Sequence, residues 1–296
     1  MLRILLFLAT NMAIVLALSV TMQLLGVPHY LEGSGINYQS LLIFSLVLGF
    51  AGSFISLFLS KWMAKSSTRT RIIEQPETAD EQWLVATVEE LAEKAGIGMP
   101  EVGIMPMQQA NAFATGWNKN NALVAVSQGM LQRFSKDEIR AVMGHEIGHV
   151  ANGDMVTLTL IQGVVNTFVI FFARIIGNIV DQVVFKNENG RGFGYFIAVF
   201  VAEIILGFLA SAIVLWFSRR REFRADEAGA LLGGKQGMIN ALKRLQIESG
   251  QVPNQMPDTM TAFAINTGKV KKDMSRLFMS HPPLEERIQA LEAMKA

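Results

Sequence analysis

Residues 145–149 read His-Glu-Ile-Gly-His, and from Met155, just past Gly153, the chain becomes an apolar run to about Val180. Histidines four apart lie on one face of a helix, with Cβ atoms about 5–6 Å apart. Both imidazoles can therefore address one ion. Glu146 lies beside them, where it can act as general base toward a water that the ion activates. The helix itself is delimited by its own sequence. Ser135 and Glu138 form a capping box at its start, and Gly153 is a stop at its end. The spacing predicts a hydrolytic metal site in the last turns of a helix that ends where an apolar segment begins.

Working outward, the apolar run is one of four. The chain of 296 residues is only 17% charged, against about 25% in soluble domains, and the deficit is local. Apolar stretches cover about 4–27, 41–59, 155–180 and 193–217, each near or above the ~20 residues that cross a bilayer as helix. They divide the chain into an N-terminal membrane hairpin (1–60), a first catalytic part bearing the histidine motif (61–154), a second membrane hairpin (155–217) and a second catalytic part (218–296). Arg3 precedes the first stretch, but its length and the absence of a small-residue cleavage site followed by a polar start argue against a signal peptide. Lys61, Lys65, Arg69 and Arg71 follow the second stretch, and Arg219, Arg220, Arg221 and Arg224 the fourth. The positive-inside rule then places both termini and the histidine motif in the cytoplasm, in a bacterial cell at the inner membrane. Arg174 and Glu203 intrude on the second hairpin and are expected to pair with each other or to meet the interface, in preference to forming an ion path.

The composition narrows the chemistry. There is no cysteine, so disulfides, iron–sulfur clusters and thiolate metal sites are excluded. A metal here is held by histidine and carboxylate. The net charge of +1 shows no overall basic balance of the kind a nucleic-acid partner would require.

The polar segments predict a small mixed fold. Thr78 and Glu81 form another capping box, opening a helix that ends near Gly96. Strands are expected at Glu101–Met105 and Ala122–Val126, with Asn111–Gly116 extended between them. After the fourth stretch, 219–232 and 235–246 are expected as separate helices, and His281-Pro-Pro283 introduces a last helix to Met294. The fold class is α+β, mostly α: an integral-membrane protein with four hydrophobic helices and a zincin-like domain carrying a small sheet.

A catalytic zinc takes three protein ligands and keeps one position open. Asn152 and Met155 stand where a third histidine six residues on, and its glycine, would be needed, so that pattern fails. His29 is predicted on the other side of the membrane, and His281 is the other spare histidine. Glu222 is the better candidate, with Asp226 on the same helical face to orient a ligand histidine. The plainer reading of Glu222 and Asp226 is a charged helix paired with its neighbouring arginines; the histidine motif tips the balance to the ligand role. One zinc ion per chain is expected.

Taken together, His145-Glu-Ile-Gly-His149, Glu222-Phe-Arg-Ala-Asp226, Asn111-Ala-Phe-Ala114 and His281-Pro-Pro-Leu284 resemble the HtpX family of membrane metalloproteases, gluzincins related to the CAAX prenyl proteases. The resemblance covers essentially the whole chain. It implies zinc held by His145, His149 and Glu222, with Glu146 as base. It implies endoproteolysis of misfolded or damaged membrane proteins in stress-response quality control, alongside the ATP-dependent membrane protease. It also implies that Asn111, Ala112, Phe113 and Ala114 belong to an edge strand that pairs with extended substrate, although a turn asparagine is an equal reading of Asn111. His281 is similar to a histidine that stabilises the tetrahedral oxyanion, with Arg287 one turn on as a possible assistant; Ser280-His281-Pro-Pro can also simply cap the last helix.

Other classes remain to be separated. A transporter would show four spans without needing a glutamate ligand across a hairpin from the histidines. A metal-binding scaffold would not require Glu146. A CAAX-type processing protease would need a prenyl pocket, which nothing in the sequence reveals. From His149 to Met155 is six residues, roughly 9 Å if helix continues, so the metal is expected within about 10–15 Å of the cytoplasmic membrane boundary.

Overall fold

The computed structural model describes residues 37–187, 191–248 and 281–294. It divides into two compact units, one comprising residues up to Ile55 with Thr159–Val214, the other Ser56–Leu158 with Leu215–Ala296.

Three helices among the described residues are long and apolar enough to cross a membrane. The first, α1, spans Tyr38–Thr68. The others are α5 (Asp154–Val183) and α6 (Phe193–Gly229). The remaining expected span, residues 4–27, lies outside the described residues, as does His29. Within the first unit, small side chains let helices approach. A Cβ on Gly49 would lie 2.6 Å from the backbone nitrogen of Thr167, and one on Gly163 would lie 2.7 Å from the Phe50 ring. Arg174 and Glu203 pair at 3.1 Å, and the Arg174 guanidinium also stacks over Phe44. Each charge thus answers the other. Asp181, at the end of α5, accepts hydrogen bonds from the backbone of Gly192 and Tyr195 and from Asn187, closing the turn into α6.

The second unit carries a four-stranded sheet in the order β1-β2-β4-β3, where β1 is Arg71–Ile72, β2 Glu101–Met105, β3 Ala112–Asn118 and β4 Asn121–Ser127. β2 and β4 run parallel; β1 and β3 flank them antiparallel. Helix α2 (Ala79–Ala95) starts at the Thr78–Glu81 capping box and stops at left-handed Gly96. Helix α4 (Lys136–Asn152) starts at the Ser135–Glu138 box. Their apolar faces, with Leu84, Val88 and Leu91 on one and Ile139, Val142 and Ile147 on the other, form the core with Val124 and Val126 of β4. Leu242, Leu245, Ile288 and Leu291 close it from α7 (Lys235–Glu248) and α8 (Leu284–Ala293).

Two features differ from expectation. The short helix α3 (Gln128–Arg133) and strand β1 have too few residues to show a period. The segment after the fourth span is not a separate helix: α6 runs unbroken to Gly229, because no proline or glycine interrupts 208–228. It then passes through a π-helical turn at Ala230–Gly234 into α7. At the histidine motif the stop expected at Gly153 is found. Gly153, at φ 68°, ends α4, and α5 begins anew at Asp154.

Candidate metal centre

The histidine helix meets its partner through glycines. Gly144 precedes the motif on α4 and Gly148 lies within it, and Gly229 and Gly233 lie on the facing segment. A Cβ on Gly148 would stand 2.6 Å from the Ala228 Cβ, and one on Gly233 would stand 2.5 Å from the Ala141 Cα. Any larger side chain would push the two backbones apart. This close approach sets Glu222, one helical stretch earlier on α6, against both histidines.

Nitrogen or oxygen atoms of His145, His149 and Glu222 all lie within 4.8 Å of one another, and all three residues are buried. His145 Nε2 is 3.7 Å from Glu222 Oε2, and His149 Nε2 is 3.4 Å from Glu222 Oε1. Two ligands each about 2.05 Å from a tetrahedral centre are separated by about 3.4 Å. These separations fit a shared ion better than they fit direct hydrogen bonds.

Each imidazole has an acid beside its other nitrogen. His149 Nδ1 donates to Asp154 Oδ2 at 2.7 Å. His145 Nδ1 lies 2.9 Å from Asp226 Oδ1. Carboxylates placed this way fix the ring and leave Nε2 as the ligating atom. Asp226 is held in turn by Arg287, whose Nε and Nη2 fork onto its two oxygens at 2.8 and 2.6 Å. Arg287 is wholly buried and stands 3.5 Å from Glu222. It braces the carboxylates. Buried Arg221 holds the backbone oxygen of Asp154.

The charge balance points the same way. Glu146, Asp154, Glu222 and Asp226 are four buried carboxyls, faced by two buried guanidiniums, Arg221 and Arg287. Buried charge must be compensated, and a divalent cation compensates the difference. Among these side chains alone, protons take up part of that role. Burial works against a charged His149, but Asp154 and Glu222 outweigh it and hold the imidazolium up to about 10. Burial also opposes ionised Glu222, yet His281 and His149 keep it well below the usual carboxylate range. Burial pushes the Glu146 carboxyl up to about 7, against the pull of His149. His145 is driven toward its neutral form by burial, with Asp226 opposing.

Glu146 also accepts a hydrogen bond from the backbone N–H of Ala114. Strand β3 is the outer strand of the sheet, so the segment containing Ala112, Phe113 and Ala114 lies directly beside the motif. Asn111 sits just before it, its backbone carbonyl accepting from Ser127 N–H at 2.8 Å. His281 reaches the cluster too. Its Nδ1 is 2.6 Å from Glu222 Oε2, and its Nε2 is buried with no hydrogen-bond partner among the described residues. The structure thus gathers His145, Glu146, His149, Glu222, Asp226, His281 and Arg287 in one unit. Asp154 escaped the sequence reading because only the turn at Gly153 folds it back onto His149. The available signal was an acid immediately after a helix-stopping glycine.

Three side chains that could hold one cation, with a buried carboxyl beside them, suit a metal-dependent hydrolase, here one carried on long apolar helices. Residues 78–295 match Peptidase family M48, and the chain belongs to that family. It is 69% identical over 293 residues to Protease HtpX of Hahella chejuensis, covering 99% of both chains. It is 66% identical over 293 residues to Protease HtpX of Pseudomonas fluorescens, covering 98% of this chain and 99% of that one. The fold is similar to the crystal structure of S. mikatae Ste24p, with TM-score 0.62 and 20% identity over 94% of this chain and 66% of that one. The family resemblance carried by the four motifs is borne out. The chain is an integral-membrane metallopeptidase.

Proposed function

We propose that the protein is a zinc-dependent endopeptidase of the bacterial inner membrane, with both termini and the active site in the cytoplasm, acting on misfolded or damaged membrane proteins. The observation that carries the reading is the meeting of His145, His149 and Glu222 within ligand distance, with Glu146 beside them. Two imidazoles and one carboxylate match the preference of zinc among abundant divalent ions. When bound, the ion lowers the pKa of a water and polarises the substrate carbonyl.

The chain's own residues do the rest. Glu146 takes the proton of the attacking water and passes it to the leaving amide nitrogen. Following His145 directly in the helix, it can act first as base and then as acid. Asp154 and Asp226 keep the imidazoles turned, and Arg287 keeps Asp226 in place. Strand β3 offers main-chain groups to an extended substrate, a mode that tolerates many sequences and so suits damaged proteins. His281, through Nε2, is placed to meet charge developing on the substrate oxygen. Substrates of this kind connect the protein to the same quality-control task as an ATP-dependent membrane protease, and the lipid bilayer is a constant partner.

The experiment compares wild type with Glu146→Gln, purified in detergent, by metal analysis and cleavage of an unfolded protein. Both should hold about one zinc per chain, and only wild type should cut. Full cleavage by the variant would refute the assignment of Glu146, and a different resident metal would refute zinc.

A further inference from the structure

We propose that the tip of the β3–β4 hairpin is a membrane anchor, with Trp117 seated in the headgroup layer of the bilayer. Trp117 is set apart by a local break in the sheet. Gly116 pairs with Ala122 and Asn118 with Asn121, leaving Trp117 as the extra residue of a bulge. Such a bulge re-aims a side chain out of the strand's alternation. Gly116, at φ 146°, makes it possible, since a Cβ there would stand 2.4 Å from the Asn121 carbonyl oxygen. Residues 112–116 are buried, and Trp117 is 41% exposed.

The neighbours of Trp117 identify what covers it. Its ring lies 5.8 Å from that of Phe58, on the last apolar turns of α1. Phe58 is 58% exposed, and Trp62, one turn further, 67%. Lys61 ties this turn to the hairpin, donating to Asn121 Oδ1 at 2.6 Å and to Glu101 at 2.8 Å. Lys65 pairs with Glu101 as well. The hairpin is thus locked to the place where the α1 sequence passes from Phe58-Leu59 to Lys61-Trp62, which is where a spanning helix leaves the hydrocarbon. Tryptophan is enriched at that level because its ring is amphipathic, and lysine there meets anionic headgroups. Lys119 stands exposed at the same tip. An apolar patch of this kind marks an interaction surface, and its continuity with a membrane helix assigns it to lipid.

The consequence for proteolysis rests on the function proposed above. β3 advances about 3.3 Å per residue, so Trp117 stands roughly 10 Å from the Ala114 N–H that meets Glu146. The strand would guide a substrate from the lipid surface to the site.

The chain's lack of cysteine makes the test direct. Full-length Lys119→Cys is spin-labelled, reconstituted in vesicles of phosphatidylethanolamine and phosphatidylglycerol, and assayed for collision with oxygen and with a water-soluble nickel chelate. Leu48→Cys, Trp62→Cys and Glu89→Cys supply lipid, interface and aqueous references. The label at 119 should match the interface reference, and adding Trp117→Ser should move it to the aqueous value while Zn content stays unchanged. A label at 119 matching the aqueous reference with Trp117 intact would overturn the proposal. So would a label shielded from both reagents in detergent and lipid alike, which would mean that protein covers the tip. Neither readout depends on proteolysis, so failure of the anchor and failure of the proposed activity are distinguishable.

Discussion

At the scale of single residues, the site is a set of acids holding bases in place. Asp154 decides which nitrogen of His149 faces Glu222. Removing such a partner typically costs 10–100-fold in metal affinity. Asp154→Ala should therefore bind zinc about 10–100-fold more weakly while remaining folded, measured by competition with a chromogenic chelator and by circular dichroism. Unchanged affinity would show that the hydrogen bond is dispensable. His145, Glu146 and His149 were legible from spacing because a helix fixes where i and i+4 point, whereas Glu222 was reached because the chain has no cysteine and its spare histidines fit poorly. Arg287 was not legible in its actual place. Its sequence position suggests help to the reacting oxygen, whereas the structure forks it onto Asp226, a contact between residues 61 apart.

Secondary-structure elements meet here by close backbone approach. The π-helical turn Ala230–Gly234 brings Gly233 against Ala141. A glycine-to-alanine change inside a helix ordinarily stabilises by about 1 kcal/mol. At Gly233 the new methyl would meet backbone atoms of Arg140 and Ala141 at 2.5 to 2.8 Å, and overpacking of this kind costs about 1–3 kcal/mol. The steric cost exceeds the propensity gain. Gly233→Ala should lower the melting temperature and loosen metal retention, read by thermal unfolding with and without chelator. A raised melting temperature would show that the two segments have room to separate. Helix limits were readable where capping boxes and stop glycines mark them, as at Thr78, Ser135, Gly96 and Gly153. The boundary between α6 and α7 was not, since a π turn has no distinctive sequence.

For the whole molecule, the sequence threads the histidines just before one apolar helix and Glu222 just after the next. From this order a centre close to the membrane is expected. It predicts that cleavage of a membrane-tethered substrate depends on where the bond lies. In a series that moves one cleavable segment away from a transmembrane anchor, cutting should peak within about 15 Å of the bilayer and decline beyond it. Equal cutting at all distances would refute a membrane-proximal centre.

Sequence by itself determined the spanning character of the chain, the helical carrier of the motif and the three strands longer than two residues, and it named the candidate ligands. All of these are encoded in short-range periodicity, caps and residue chemistry. Only the tertiary structure decided how those residues are oriented: Asp154 turned back by left-handed Gly153, Asp226 clamped by Arg287, His281 against Glu222, Ala114 N–H on Glu146. The physical reason is that orientation within a buried charged cluster is set by compensation among groups distant in the chain, and no local pattern records which acid a given base will find.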